Sequence, residues 1–169
     1  MPKPDRPTPY TAPQELHDLA FRYGLAVDNL DAAMLGSIFT AQGVIRGHGH
    51  SGARYLGADG WQRMIAEVQA SFQRTMHNVF NQTFEQAPDG TLTGLTTGIA
   101  SHLLPADPGT KSHRVLDFAM RYHNRYAVEG GAWKFAERAL EVLWVETREA
   151  QQFNLEMLGR ELKGFTAVD

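Results

Sequence analysis

The spacing of apolar residues divides the chain into a helical first part and a strand-rich second part. Up to about residue 72, apolar side chains recur every three or four positions, as on one face of a helix. From Thr75 onward they alternate with period two, and segments rich in glycine and proline interrupt the alternation. Helices followed by a run of sequential antiparallel strands predict an α+β domain. We expect a long, curved sheet closed off by the helices around a pocket.

Three helices are predicted in the first part. The first begins near Pro13, ends around Asp28-Asn29 and has an apolar stripe of Leu16, Leu19, Ala20, Tyr23, Val27 and Leu30. Asp31 is expected to cap a second, short helix that carries Met34, Leu35, Ile38 and Phe39. Asp59 is expected to cap the third, whose apolar face holds Trp61, Met64, Ile65, Val68 and Phe72.

The second part predicts four long strands over residues 75–86, 91–104, 113–128 and 132–147. Residues 43–55, rich in glycine and histidine, predict a short strand with a loop. The proline-rich residues 1–12 predict a flexible arm. Residues 148–169 predict a last helix, over 148–163, and a tail; its candidate packing residues are Phe153, Met157 and Leu158. The domain proper is therefore expected over residues 13–147.

Composition narrows the functional classes. The chain has 169 residues and a net charge of −3, so it shows no basic footprint for nucleic acid. No apolar run reaches the roughly 20 residues of a membrane span, and residues 1–13 lack the apolar stretch of a signal peptide. The absence of cysteine excludes thiol catalysis and fits a cytoplasmic location. Neither a phosphate-binding glycine loop nor a serine-hydrolase elbow is present.

Three stretches in order along the chain carry a family resemblance. The first runs from Tyr23-Gly-Leu-Ala-Val-Asp28 to Ile38-Phe39-Thr40, and the second is Thr75-Met-His77-Asn. The third is Tyr126-Ala-Val-Glu-Gly-Gly-Ala-Trp-Lys-Phe135. Together they resemble the SnoaL-like branch of the nuclear-transport-factor-2-like superfamily. The resemblance implies a cone-shaped α+β barrel, with a curved antiparallel sheet wrapped on N-terminal helices around a central pocket.

The resemblance also implies chemistry. Scytalone dehydratases, bile acid 7α-dehydratases and hexachlorocyclohexane dehydrochlorinases pair an aspartate at the end of the first helix with a strand histidine, and all eliminate without a cofactor. Asp28 and His77 match that pair, and Tyr23 matches the tyrosine of the bile acid enzymes. A serine and an asparagine of scytalone dehydratases correspond to Met120 and Tyr122, which become candidate substrate-binding residues. A different pocket lining puts any shared substrate in doubt.

Physical arguments bear on the same residues. Asp28 lies off the apolar stripe, roughly 140° from Tyr23 at about 3.6 residues per turn. A carboxylate at the end of a helix is disfavoured by the macrodipole and needs a partner, which His77 could supply. Histidine can take and return a proton near neutral pH. The alternatives are a core histidine, a solvated aspartate and a core tyrosine.

The position of His102 depends on the turn at Pro88-Asp89-Gly90. A two-residue loop would place His102 opposite His77, on the same face of the sheet. A three-residue loop, closed by a glycine bulge, would turn His102 to the other face. Scytalone dehydratases carry a second catalytic histidine at the same separation, which favours the first register.

The sequence therefore predicts a dehydratase or isomerase that acts on a largely apolar small molecule, with no cofactor. The alternatives are a non-catalytic binding or accessory protein, a polyketide cyclase and an epoxide hydrolase. His48 and His50 alone do not make a metal site, because three or four ligands are needed, so no metal is expected. No nucleic acid or membrane partner is expected. The resemblance implies a homo-oligomer, with a trimer favoured over a dimer.

Overall fold

A computed structural model describes residues 8–48, 52–106, 108–109 and 112–150. It contains three helices: α1, Gln14–Asp28; α2, Ala32–Ile38; and α3, Gly57–Ser71. Its strands are β1, Thr8–Pro9; β2, Phe39–His48; β3, Ala53–Leu56; β4, Arg74–Gln86; β5, Leu92–Leu103; β6, His113–Glu129; and β7, Ala132–Ala150. These elements form the predicted α+β cone, with one curved sheet packed on the helices.

The described strands form one sheet in the order β1-β4-β5-β6-β7-β2-β3. The four long strands are antiparallel neighbours, as the short turns between them predicted. The pairing of β2 with β7 is parallel, so the sheet is mixed rather than wholly antiparallel. A parallel pair needs a long crossover, and the chain between β2 and β7 supplies it. Within the described residues the sheet does not close into a barrel.

The helices follow their predicted apolar stripes. The buried residues of α1 are Leu16, Leu19, Ala20, Tyr23, Gly24, Ala26 and Val27. Asp31 caps α2 as expected, because its side chain accepts a hydrogen bond from Met34 N–H. The expected cap of α3 was wrong: the helix begins at Gly57 and Asp59 lies in its first turn. Gly57 has φ +59°, which lets the chain leave β3 directly into the helix.

Both ends of the predicted domain differ from expectation. Part of the expected flexible arm is paired: Thr8 lies opposite Gln86, and Tyr10 N–H donates to Phe84 O. The strand β7 continues to Ala150, so no helix begins at residue 148. The remainder of the expected helix and tail, with Phe153, Met157 and Leu158, lies outside the described residues, as do residues 1–7. Phe39 begins β2 instead of ending α2, with φ −107° and ψ 153°.

The core lies between the helices and the inner face of the sheet. Its largest fully buried apolar and aromatic side chains are Tyr23, Tyr55, Phe39, Phe135, Leu16, Leu35, Ile38, Ile45, Met64, Leu92 and Val27. Two glycines on the inner face of β5 lie close to the backbone of β4. A Cβ at Gly94 would lie 2.7 Å from Thr83 O and 3.1 Å from the ring of Tyr126, and one at Gly98 would lie 2.6 Å from Asn78 O. Within the described residues, no helix is long and apolar enough to cross a membrane.

Candidate active site

The end of helix α1 places Asp28 beside strand β4. Asp31 N–H donates to Ala26 O and Leu30 N–H donates to Val27 O, which closes the helix immediately after Asp28. Leu30 adopts φ +55°, at the position in this helix end where glycine is usual. The last turn of α1 holds no basic residue. The carboxylate therefore meets the negative end of the helix dipole, and its stabilisation must come from outside the helix.

Strand β4 supplies the donors that Asp28 needs. The Nδ1 atom of His77 lies 2.7 Å from Asp28 Oδ1. The backbone N–H of His77 donates to Asp28 Oδ2 at 2.8 Å, and the hydroxyl of Thr75 donates to Oδ1 at 2.8 Å. The side chain of His77 is only 5% exposed and that of Asp28 is 19% exposed. The structure thus brings the two predicted residues together in a largely buried pair.

The pair requires a close approach of α1 to β4, and Gly24 permits it. A Cβ atom built on Gly24 would lie 3.0 Å from the Cβ atom of His77. Such a contact is closer than packed carbon atoms adopt, so a side chain at position 24 would push the helix away from the strand. Glycine in the interior of a helix is less stabilising than alanine, and the close packing on β4 explains why glycine stands at position 24 of α1.

Electrostatics keep Asp28 ionised. Burial raises the pKa of its carboxyl group, but the hydrogen bonds from His77 and Thr75 outweigh that effect and hold the pKa below its usual value. An ionised carboxylate only accepts, so Nδ1 of His77 carries the proton in their hydrogen bond. In the neutral imidazole, Nε2 is then the atom with a free lone pair. This tautomer is the one that a general base needs.

The other predicted site residues face the same interior. The ring of Tyr23 lies edge-on to His77, with 6.2 Å between ring centroids, and 5.7 Å from the ring of Tyr122. Met120 and Tyr122 are both buried on the inner face of β6. Burial raises the pKa of Tyr23 far above its usual range and that of Tyr122 to about 12. Both phenols therefore stay protonated at neutral pH and can act as hydrogen-bond donors.

The sequence analysis missed Arg138, which is 1% exposed. Its guanidinium carbon lies 3.7 Å above the ring of Tyr122 and 4.3 Å above the ring of Tyr23. Nη1 donates to Asn124 Oδ1 at 2.9 Å. Within the part of the chain that the structure describes, Nε and Nη2 have no hydrogen-bond partner. The guanidinium also interacts with the phenols of Tyr23 and Tyr122, where it lowers the pKa of each hydroxyl against the larger effect of burial.

A bulge explains why alternation did not reveal Arg138. Phe135 faces inward opposite Tyr126, whereas Glu137 faces outward opposite Arg125. The extra residue between them, Ala136, shifts the register of β7. Strict alternation from Phe135 would have pointed Arg138 outward. A buried arginine next to a register shift has no local sequence signature.

A second bulge decides the position of His102. The turn is the three-residue alternative: Ala87 N–H donates to Thr91 O, and Gly90 has φ +84°. That register alone would turn His102 away from His77. The register of β4 shifts again between Val79 and Gln82, so that His77 pairs with Ala100 and Thr75 pairs with His102. His102 thus shares the face of His77, diagonally rather than directly opposite, with 5.9 Å between ring centroids.

The surroundings of His102 keep its ring neutral. It packs against Phe72 and Phe118, with centroid distances of 4.4 and 4.9 Å. Burial, together with the neighbouring His77, lowers the pKa of His102 to about 4. Its Nδ1 atom lies 3.2 Å from Ala100 O. The second histidine can therefore exchange hydrogen bonds at neutral pH but cannot act there as a charged acid.

The described part of the structure has a cavity beside Asp28 and a groove on the outer face of the sheet. The cavity of about 270 Å³ lies against the Asp28 side of the pair, lined by Asp28, Asn29, Leu30, Val68, Phe72, Gln73, Arg74 and Thr75. The larger groove of about 460 Å³ is lined by outward-facing residues such as Glu85, His123 and Arg125. The groove lies on the face of the sheet opposite His77, so the smaller cavity is the one connected with the candidate site.

No metal centre is formed by the described residues, because no three histidine, aspartate or glutamate side chains come together among them. The side chains of His48 and His50 lie outside the described part. The site is thus built from an imidazole, a carboxylate, buried phenols and a guanidinium, a set suited to moving a proton and stabilising negative charge.

The fold corresponds to a known class of small α+β cones. The SnoaL-like domain family matches residues 10–139, and the chain belongs to it. No curated protein matches the sequence significantly.

Solved structures share the fold. A type 2 hexachlorocyclohexane dehydrochlorinase is 20% identical and has a TM-score of 0.70, with 83% of this chain and 91% of that chain covered. A protein described as a putative scytalone dehydratase, from Novosphingobium aromaticivorans, is 16% identical with a TM-score of 0.65, with 83% and 90% covered. A protein from the same organism described as a putative aromatic ring hydroxylase is 18% identical with a TM-score of 0.68, with 82% and 96% covered.

Proposed function

We propose that the protein is a cofactor-independent lyase or isomerase in which His77 removes a proton from carbon. The observation that carries this proposal is the 2.7 Å contact between Asp28 Oδ1 and His77 Nδ1 in a largely buried site. The contact fixes the tautomer of the imidazole and leaves Nε2 as the base. Two of the structural neighbours are named for elimination reactions, which agrees with this chemistry.

The proposed reaction begins at a carbon next to a carbonyl or another activating group. Nε2 of His77 takes the proton, and the electron pair of the broken C–H bond becomes part of a new double bond. In an elimination the leaving group departs with its bonding pair, and the imidazolium returns the proton to it. In an isomerisation the proton returns to a different carbon. Asp28 stabilises the imidazolium in both cases.

Negative charge that develops on the leaving group or on an oxyanion needs donors. Tyr23 is protonated, and Arg138 has two donors without partners among the described residues, so this side of the site can supply them. Met120 and Tyr122 belong to the apolar core on this side of the site, and the partly buried Phe118 packs against that core. The substrate is therefore a small, largely apolar molecule with one polar centre.

The test combines turnover with solvent exchange. We would incubate the protein in deuterated buffer with hexachlorocyclohexane, scytalone and a panel of β-hydroxy ketones, and follow elimination and deuterium incorporation next to the activating group. His77→Gln should lower turnover by about 10²–10⁴-fold, the usual contribution of a general base. His123→Gln is the matched control, because His123 is 58% exposed on the outer face.

Wild-type turnover and exchange in a folded His77→Gln variant would refute the proposal. Binding of these compounds without turnover by the wild type would favour the alternative of a non-catalytic binding or accessory protein. Ring closure or epoxide opening on the same scaffold would favour a polyketide cyclase or an epoxide hydrolase.

A further inference from the structure

The carboxylate of Asp28 is held by more than the histidine. Oδ1 accepts hydrogen bonds from both His77 Nδ1 and the hydroxyl of Thr75, at 2.7 and 2.8 Å. Oδ2 accepts from the backbone N–H of His77 at 2.8 Å. Thr75 and His77 are two residues apart on β4, so both side chains leave the same face of the strand toward Asp28.

The third donor holds the carboxylate independently of the histidine. The terminal torsion of an aspartate side chain is soft, and both of the other donors belong to His77, so Thr75 adds a restraint from a second residue. A helix C-terminus presents carbonyl groups, so α1 offers no donor that would oppose this rotation. The hydroxyl of Thr75 belongs to strand β4 of the sheet, so its hydrogen bond fixes the position of Oδ1 relative to that strand. Oδ2 then stays opposite His77 N–H.

We propose that Thr75 is a positioning residue for the Asp28–His77 pair, whose hydroxyl fixes the plane of the carboxylate and thereby the tautomer of the imidazole. Its importance for turnover rests on the proposed function, but its effect on Asp28 does not. Thr75 also lines the cavity beside Asp28, and its hydroxyl donates to Asp28 Oδ1. In the sheet, Thr75 is the register partner of His102 on β5.

The charged and titratable groups around Asp28 come from several elements. His77 lies on β4 and His102 on β5, and Tyr122 approaches from β6. Arg74 lines the adjacent cavity together with Asp28. Among these surroundings, the hydrogen bond from Thr75 is one of the interactions that lower the pKa of Asp28. Removing the hydroxyl should therefore raise that pKa, while the other groups remain in place.

The experiment follows the carboxyl carbon of Asp28 by ¹³C NMR across the acid range, with the signal assigned by Asp28→Asn. In Thr75→Val, which keeps the shape of the side chain but loses the donor, the pKa of Asp28 should rise. Thr75→Ser keeps the hydroxyl and should titrate like the wild type. Thr83→Val is the matched control, because Thr83 is an exposed threonine on the same strand, β4. Thr75→Ala replaces Thr75→Val if that variant does not fold.

Two further measurements complete the test. The ¹⁵N shifts of His77 should show a mixture of tautomers in Thr75→Val and a single tautomer, protonated at Nδ1, in the wild type and in Thr75→Ser. With a substrate identified by the exchange screen, kcat should fall about tenfold in Thr75→Val with little change in KM, the usual contribution of a hydrogen bond to a charged group. If Thr75→Val has the same pKa of Asp28 as the wild type, or the same kcat, the inference is overturned. Absence of turnover in the wild type would instead refute the proposed function, and the titration would still decide the role of Thr75.

Discussion

The buried histidine at position 102 should make the protein less stable in mild acid. Its pKa is about 4 in the folded chain and about 6.5 when exposed. Between these values the unfolded chain binds a proton that the folded chain does not. The stability contributed by a neutral His102 is therefore fully present above about pH 6.5, falls as the pH falls toward about 4, and changes no further below that.

The size of the effect follows from the shift. One pKa unit corresponds to about 1.4 kcal/mol, so a shift of roughly 2.5 units corresponds to about 3 kcal/mol over the whole interval. Between pH 6.5 and pH 5 the free energy of unfolding should already fall by about 2 kcal/mol from this residue alone. That is a large part of the usual stability of a domain, about 5–15 kcal/mol.

The assay is urea denaturation at several pH values between 7 and 4.5. His102→Gln removes the titrating group while keeping a polar side chain near Ala100 O. From pH 6.5 to pH 5, the free energy of unfolding of the wild type should fall by about 2 kcal/mol more than that of His102→Gln. His123→Gln makes the same substitution at a histidine that is 58% exposed on the outer face and serves for comparison. Parallel pH profiles of wild type and His102→Gln would refute the reasoning, because His102 would then carry the same charge in both states.

Three further outcomes are expected. Gly24→Ala should destabilise the protein by about 1–3 kcal/mol in thermal or urea unfolding, because its Cβ would lie 3.0 Å from that of His77. Gly36→Ala, whose Cβ would meet only Trp61 at 3.7 Å, should be neutral or stabilising, and equal losses in both variants would contradict the packing argument. Arg138→Met should lower kcat about 10²–10³-fold on a substrate of the exchange screen while circular dichroism stays unchanged; wild-type kcat would exclude Arg138 from charge stabilisation. We also expect a homo-oligomer, because Trp144 on β7 is 56% exposed and needs cover, and the family resemblance favours a trimer; light scattering should show smaller particles for Trp144→Glu, and a wild-type monomer at micromolar concentration would refute this.

The sequence by itself determined the positions of the main helices and long strands and the apolar faces of the helices. The apolar stripe of α1 and the alternation of the four long strands predicted their positions to within a few residues, because burial imposes those periods. The position of Asp28 at a helix end indicated that it needs a donor from elsewhere, and the family resemblance identified His77 as that donor. Their resemblance to an eliminating pair added the chemistry.

Only the tertiary structure decided the register and its consequences. The shift between Val79 and Gln82 returns His102 to the face of His77, and the shift at Ala136 turns Arg138 inward. A bulge inserts one residue and so reverses the face of every residue beyond it, and nothing in local alternation marks where that occurs. Gly24 and Thr75 acquire their roles only when α1 packs on β4, since contacts between distant segments are set by the fold rather than by local pattern.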